Sequence, residues 1–213
     1  MNNWQPCTAQ KQLIPALLGH LEILITCPKR TATCPIPYAV ICHPHPLHGG
    51  TMNNKVVYII ARTFNQLGAG TVRFNFRGVG KSTGHFDHGQ GETEDLHTVV
   101  EWIQTEYSPS ELWLAGFSFG SYVALRGLSE LEANRLLLVA PSIERFQFEE
   151  LQISDIPTLV IQGGKDEIVS PDTVSTWIAA QTHPPQQHWI DEADHFFHGR
   201  LNELRQAIMA AWR

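Results

Sequence analysis

The stretch Gly116-Phe117-Ser118-Phe119-Gly120 constrains the fold of this chain more than any other. Before it runs Leu112-Trp113-Leu114-Ala115, a short apolar strand, and after it runs Ser121 to Leu128, which reads as helix. A serine between two glycines, where a strand turns directly into a helix, sits in a strained turn. The flanking positions must be small, and the backbone holds the hydroxyl clear of the sheet. Five residues alone are weak evidence, since such strings arise by chance. The strand-then-helix setting gives this one its weight.

That setting recurs along the chain. Strands are predicted at Leu21–Thr26, Tyr38–Cys42, Thr71–Phe76, Leu112–Ala115, Leu136–Ala140, Thr158–Gln162 and His188–Ile190. From Tyr38 onward these runs are short and almost wholly apolar, as strands buried on both faces require. Between them lie helical stripes: Val56, Ile60, Phe64 and Leu67 closed by Gly68, then Leu96, Val99, Val100, Ile103 and Tyr107. Pro171 opens another helix through Trp177 and Ile178, and Leu201 to Trp212 forms the last. Only a Pro-rich link separates Leu21–Thr26 from Tyr38–Cys42, so these two are expected to pair antiparallel. The βαβ alternation after them predicts an α/β fold: a mostly parallel central sheet of about seven to eight strands with helices on both faces.

In such sheets ligands bind where the strands end. Reactive side chains do gather there. Tyr38–Cys42 runs into His43-Pro44-His45-Pro46-Leu47-His48-Gly49-Gly50, and Thr71–Phe76 into Arg77-Gly78-Val79-Gly80-Lys81-Ser82. Thr158–Gln162 runs into Gly163-Gly164-Lys165-Asp166, and His188–Ile190 into Asp191-Glu192-Ala193-Asp194-His195.

A serine hydroxyl becomes a nucleophile only with a base in reach, and the base needs a partner that fixes its tautomer. Ser118, then Asp166, then His195 follow the chain order in which α/β-hydrolases carry these groups. The chain resembles the α/β-hydrolase superfamily and is similar to its small enzymes of the dienelactone-hydrolase type, over roughly residues 20 to 210. The elbow is joined in this resemblance by the 43–50 segment, Phe74 to Ser82, Gln162-Gly163-Gly164-Lys165-Asp166 and Ala193-Asp194-His195-Phe196-Phe197. Dienelactone hydrolases carry cysteine where this chain has Ser118, so the resemblance by itself does not single out a lactone substrate.

The resemblance implies a serine hydrolase with Ser118 as nucleophile, His195 as base and Asp166 as orienting acid. His198, Asp191 and Asp194 are the rivals on the same terminal loop. An oxyanion hole needs two backbone N–H groups. One is expected from Phe119, the other from the loop after Tyr38–Cys42, where Pro44 and Pro46 have none to give. His45 matches the superfamily position, and Leu47 is second. Leu47, Phe117, Phe146 and Phe148 are the expected substrate contacts; Phe146, Phe148, Leu151 and Ile153 either wall the pocket or pack a short helix on the core. Arg77 to Gly80 is expected to shape the pocket rim, with Arg77 itself either part of that rim or purely structural. No large cap domain is expected, because Pro141 to Pro157 has room for one short helix. That favours small or accessible acyl esters, thioesters or lactones.

Two further function classes fit parts of the sequence. Three histidines at 43, 45 and 48 resemble the zinc loop of a metallo-hydrolase, but Leu47 stands where such loops usually carry an acid. A metal site would also leave the Ser118 turn without a purpose. A hydrolase-fold binding protein without catalysis is the other, and it leaves the complete Ser118, Asp166 and His195 set unexplained. Gly80-Lys81-Ser82 is not a phosphate loop, since that motif needs glycine at 75 and the residue is Asn75. No cofactor or bound metal is called for.

Composition bounds the rest. The 213 residues, 43% hydrophobic and 17% charged, fit one domain spanning 1–213 with a single core. A net charge of −6 speaks against nucleic acid as a partner, and no run is apolar enough to span a membrane. Cys7, Cys27, Cys34 and Cys42 lack CxxC spacing, and Met1 to Pro6 lacks the start of a signal peptide. Reduced thiols in a cytoplasmic protein are the expectation.

Overall fold

The computed structural model describes residues 9–28, 35–146, 148 and 151–212. Met1 to Pro6, Cys7 and Cys34 lie outside the described residues. Eight strands form one sheet: β1 (Gln10–Ala16), β2 (Gly19–Thr26), β3 (Tyr38–Cys42), β4 (Gly70–Phe74), β5 (Leu112–Phe117), β6 (Arg135–Val139), β7 (Thr158–Gly163) and β8 (Gln186–Ile190). Five helices connect them: α1 (Lys55–Gln66), α2 (Gln90–Tyr107), α3 (Phe119–Gly127), α4 (Pro171–Ala179) and α5 (Leu201–Ala211). The spatial order is β1-β2-β4-β3-β5-β6-β7-β8, and every pairing from β4 onward is parallel. No helix among the described residues is long and apolar enough to cross a membrane.

Burial on both faces explains the near-continuous apolar strands. In β3, Val40 and Cys42 face the layer of α2, α3 and α4, whereas Ala39 and Ile41 face α1 and α5. The same alternation runs through β6, where Leu136 and Leu138 oppose Leu137 and Val139. Each aliphatic side chain buried this way contributes roughly 1.5–3 kcal/mol. Two capping contacts fix helix starts: Asn54 Oδ1 accepts the Val56 N–H at 2.8 Å, and the buried Glu92 accepts the Gly89 N–H at 2.7 Å.

Two expectations require correction. β2 does not pair with β3; it lies antiparallel to β4, with Ile23 opposite Phe74, and also to β1. The β3-α1-β4 crossover lays β4 beside β3 on that flank, so β2 can reach only the outer edge of β4. The N-terminal strand β1 also went unread in the sequence. Pro15 breaks its pattern, and most of its residues are exposed, so it lacks the apolar run of a central strand.

His43 locks the carboxyl end of β3 to that of β4. Its Nδ1–H donates to the Pro44 carbonyl at 2.6 Å, and its Nε2 accepts the Phe76 N–H at 3.1 Å. Protonating Nε2 would set N–H against N–H in a fully buried site. Burial is the main cause that lowers the ring from 6.5 to about 4, against a raising contribution from Pro44. A folded value below the unfolded one means this stability is fully present above 6.5 and lost as pH falls through the folded value of about 4. The His43 ring should therefore hold the neutral Nδ1–H tautomer in NMR spectra from pH 8 to about pH 5, with unfolding free energy declining below 6.5. A ring that titrates near 6.5 would refute this linkage.

Candidate active site

The parallel strands deliver their reactive residues to one edge. Ser118 follows β5 directly with φ 55°, a left-handed conformation that a β-substituted residue adopts only under strain. The surrounding backbone imposes it. A Cβ at Gly116 would lie 2.1 Å from the Gly120 carbonyl oxygen, and one at Gly120 would lie 2.2 Å from that of Cys42. Both glycines are obligatory for the turn. Ser118 N–H donates to the Val139 carbonyl at 2.9 Å, tying the turn to β6.

Ser118, His195 and Asp166 stand in one hydrogen-bonded line. His195 Nε2 is 3.1 Å from Ser118 Oγ, and His195 Nδ1 is 2.8 Å from Asp166 Oδ2. All three are buried, His195 to 2% exposure. Asp166 sits after β7, where Ile168 and Val169 N–H groups donate to Oδ1 and the Gln162 amide donates to Oδ2. Burial alone would raise its carboxyl, but the His195 bond and charge and the two backbone donors outweigh burial and hold it below the ordinary value. An ionised Asp166 places the proton of neutral His195 on Nδ1. Nε2 is then an acceptor for the Ser118 hydroxyl.

The rival residues lie elsewhere. His198 bonds Asp194 at 2.8 Å on the surface, and Asp191 is exposed. A cavity of about 520 Å³ opens over Ser118, bounded by Pro44, His45, His48, Gly49, Gly50, Asn54, Phe119, Ser142, Arg145, Phe146, Ile168, His195 and Phe196. The N–H groups of Phe119 and His45 donate to no acceptor among the described residues. Leu47 is a poor donor, because its N–H is spent on His45 Nδ1 at 3.2 Å. Its side chain is 70% exposed and does not line the cavity.

Of the remaining expected contacts, Phe146 lines the cavity and Phe148 does not. Phe148 is fully buried against Tyr122 and Trp177, with ring centroids 5.5 and 5.6 Å away, so it packs the core, as do Leu151 and Ile153. Phe117 points away from the opening and backs the His195 ring at 5.2 Å. Arg77 does not reach the rim. Its guanidinium is buried on Asp95 at 2.8 Å, with Glu94 beside it at 3.0 Å. The histidine loop does not converge on one point either. Both His43 nitrogens are engaged, and among the described residues no three His, Cys, Asp or Glu side chains are grouped to hold a metal ion. Sequence reasoning missed Ser142, Arg145 and Asn54. Ser142 had a usable signal, since it follows a strand end.

The chain matches the family model described as "Alpha/beta hydrolase domain" over residues 40–207. Its fold is shared by an a/b serine hydrolase without lid from Xanthomonas campestris, 40% identical, at a TM-score of 0.91 over 99% of this chain and 96% of that one. An alpha-beta serine hydrolase homologue from Coxiella burnetii is 43% identical, with a TM-score of 0.91 over 96% and 97% of the two chains. A protein of Rickettsia prowazekii is 37% identical over 188 residues, 83% of this chain and 79% of its own length. Between β6 and β7 the described residues form only the short 3-10 turn Ile143–Arg145, so the fold carries no large cap. With its mostly parallel sheet, a strained serine turn after β5 and the family match over most of its length, the chain belongs to the alpha/beta hydrolase family.

Proposed function

We propose that this protein is a single-domain serine hydrolase that cleaves small or accessible carboxylic esters through an acyl-enzyme. The observation that carries this reading is the unbroken line from Ser118 Oγ through His195 to Asp166. In the first half-reaction His195 Nε2 takes the Ser118 proton as Oγ attacks the substrate carbonyl carbon. The oxygen that becomes negative is met by the Phe119 and His45 N–H groups. His195 then gives its proton to the departing alkoxide, and the acyl group stays on Oγ. In the second half-reaction a water attacks the acyl carbon, with its proton going to Nε2 and from there back to Ser118 Oγ. Asp166 keeps its charge throughout and steadies the imidazolium. Thioesters and lactones meet the same machinery, and no cofactor or metal is needed for any step.

Truncating the nucleophile should leave only binding and oxyanion stabilisation. Ser118→Ala is expected to lower kcat on p-nitrophenyl acetate about 10⁴-fold or more, with little change in thermal stability. A fluorophosphonate probe should label Ser118, and activity should survive EDTA. Activity lost on chelation and restored by zinc would instead favour the His43, His45 and His48 loop.

Acyl length follows from the shape of the site. The cavity over Ser118 is open and no cap closes it, so acyl carbons beyond its aromatic wall project into water. Each acyl methylene contributes its roughly 0.8 kcal/mol only when buried. On p-nitrophenyl esters kcat/KM should peak between acetate and butyrate and level off or fall beyond hexanoate. An optimum at dodecanoate would refute the open-pocket reading.

A further inference from the structure

A hydroxyl has one proton to donate and lone pairs to accept with. At Ser118 the proton is committed, because His195 Nε2 can only accept while Nδ1–H faces the ionised Asp166. Ser118 Oγ has a second polar neighbour, Ser142 Oγ, at 3.4 Å. With the Ser118 proton spent on His195, the Ser142 hydroxyl must be the donor of that pair. Ser142 is 2% exposed and lines the cavity, and among the described residues its hydroxyl has no other partner.

The backbone holds Ser142 in this place at a cost. Ala140, two residues earlier, has φ 44°, strained for a residue with a Cβ. Its N–H donates to the Ile161 carbonyl at 2.9 Å, while the neighbouring Val139 carbonyl accepts the Ser118 N–H. The end of β6 is therefore keyed to the serine turn on one side and to β7 on the other. Beyond it, the Ser142 carbonyl accepts the Arg145 N–H at 3.2 Å and closes the 3-10 turn.

We propose that Ser142 is a fourth catalytic side chain, donating a hydrogen bond to Ser118 Oγ that strengthens whenever this oxygen carries negative charge. The proposal rests on the serine-hydrolase reading above. In the resting state the bond is long and its acceptor neutral. During attack Oγ gains charge as its proton moves to His195, and during deacylation Oγ is the group expelled from the tetrahedral carbon. Charge-assisted hydrogen bonds are shorter and roughly twice as strong as neutral ones. Ser142 keeps its own proton in both steps. A bond that is stronger in the transition state than in the ground state raises kcat and leaves KM alone.

The test compares Ser142→Ala, which removes the donor, with Ser142→Thr, which keeps it. On p-nitrophenyl acetate Ser142→Ala should lower kcat about tenfold, less than the ~10²-fold or more of an oxyanion-hole donor because the resting contact is longer. KM and melting midpoint should stay at wild-type values, and the rate of fluorophosphonate labelling should fall with kcat. Ser142→Thr should recover most of the loss. A Ser142→Ala enzyme with at least half the wild-type kcat overturns the proposal. So does an equal loss in both variants, which would mean the position needs serine's size, or a raised KM at unchanged kcat, which would make Ser142 a substrate contact. A wild-type protein that neither hydrolyses esters nor takes up the probe would defeat the serine-hydrolase reading itself, and the proposal with it.

Discussion

Everything at the candidate active site depends on how closely three pieces of backbone approach at the serine turn. Gly116, Gly120 and the end of β3 meet at distances that leave no room for a single Cβ. That closeness forces Ser118 into its positive φ and lifts Oγ out of the sheet. It also starts α3 at Phe119, whose N–H stands at the helix start beside the cavity with no carbonyl of the helix to bond. Strain at Ser118 and a free donor beside it thus have one cause. A larger residue at either glycine would relieve the first and displace the second.

The sheet then sets the distances between residues far apart in sequence. Parallel strands end together, so residues just past the ends of β5, β6, β7 and β8 lie on one edge. Ser118, Ser142, Asp166 and His195 occupy those four positions in that order. Hydrogen bonds at the strand ends fix the register: Ser118 N–H to Val139, Ala140 N–H to Ile161, and Gly164 N–H to Ile190. The loops need little freedom of their own. The Ser118–His195–Asp166 line, 3.1 and 2.8 Å in its two steps, is held at the ends of strands rather than by one long ordered loop.

Much of this was legible in the sequence because the central strands are buried on both faces and so cannot alternate. Tyr38–Cys42 is read from its five apolar residues with its boundaries intact. Ser118 and Asp166 stand out because each follows such a run, and His195 because it follows the short His188–Ile190 end of the last strand. What failed to show has physical reasons. β1 and the outer half of β8 are edge strands with solvent on several sides, so their composition is that of a loop. The partner of β2 depends on where a helical crossover lands β4, which no local pattern records. Phe146 and Phe148 look alike in sequence, yet one faces the cavity and the other packs on Trp177, because the segment turns between them. Arg77 follows a strand end as Asp166 does. Its destination was set by Asp95, a carboxylate eighteen residues on that α2 carries into the interior.

The lack of a large cap sharpens one question of mechanism. A catalytic carboxylate and imidazole gain strength when water is excluded, and many active sites use a lid for that purpose. Here the exclusion comes from below and from the side. Phe117 backs the His195 ring at 5.2 Å, Phe196 lies edge-on to it at 5.1 Å, and Phe119 with Phe146 forms the wall across the opening. Phe196 is the most exposed of these four, at 38%. The Asp166–His195 pair is buried by the fold itself, and the line reaches the cavity through Ser118 and the edge of His195. A site built this way needs no closing motion to assemble its charges, since its low-dielectric environment belongs to the fold. Under the proposed esterase reading, substrate selection falls to the open cavity above Oγ, whose wall is the aromatic pair Phe119 and Phe146.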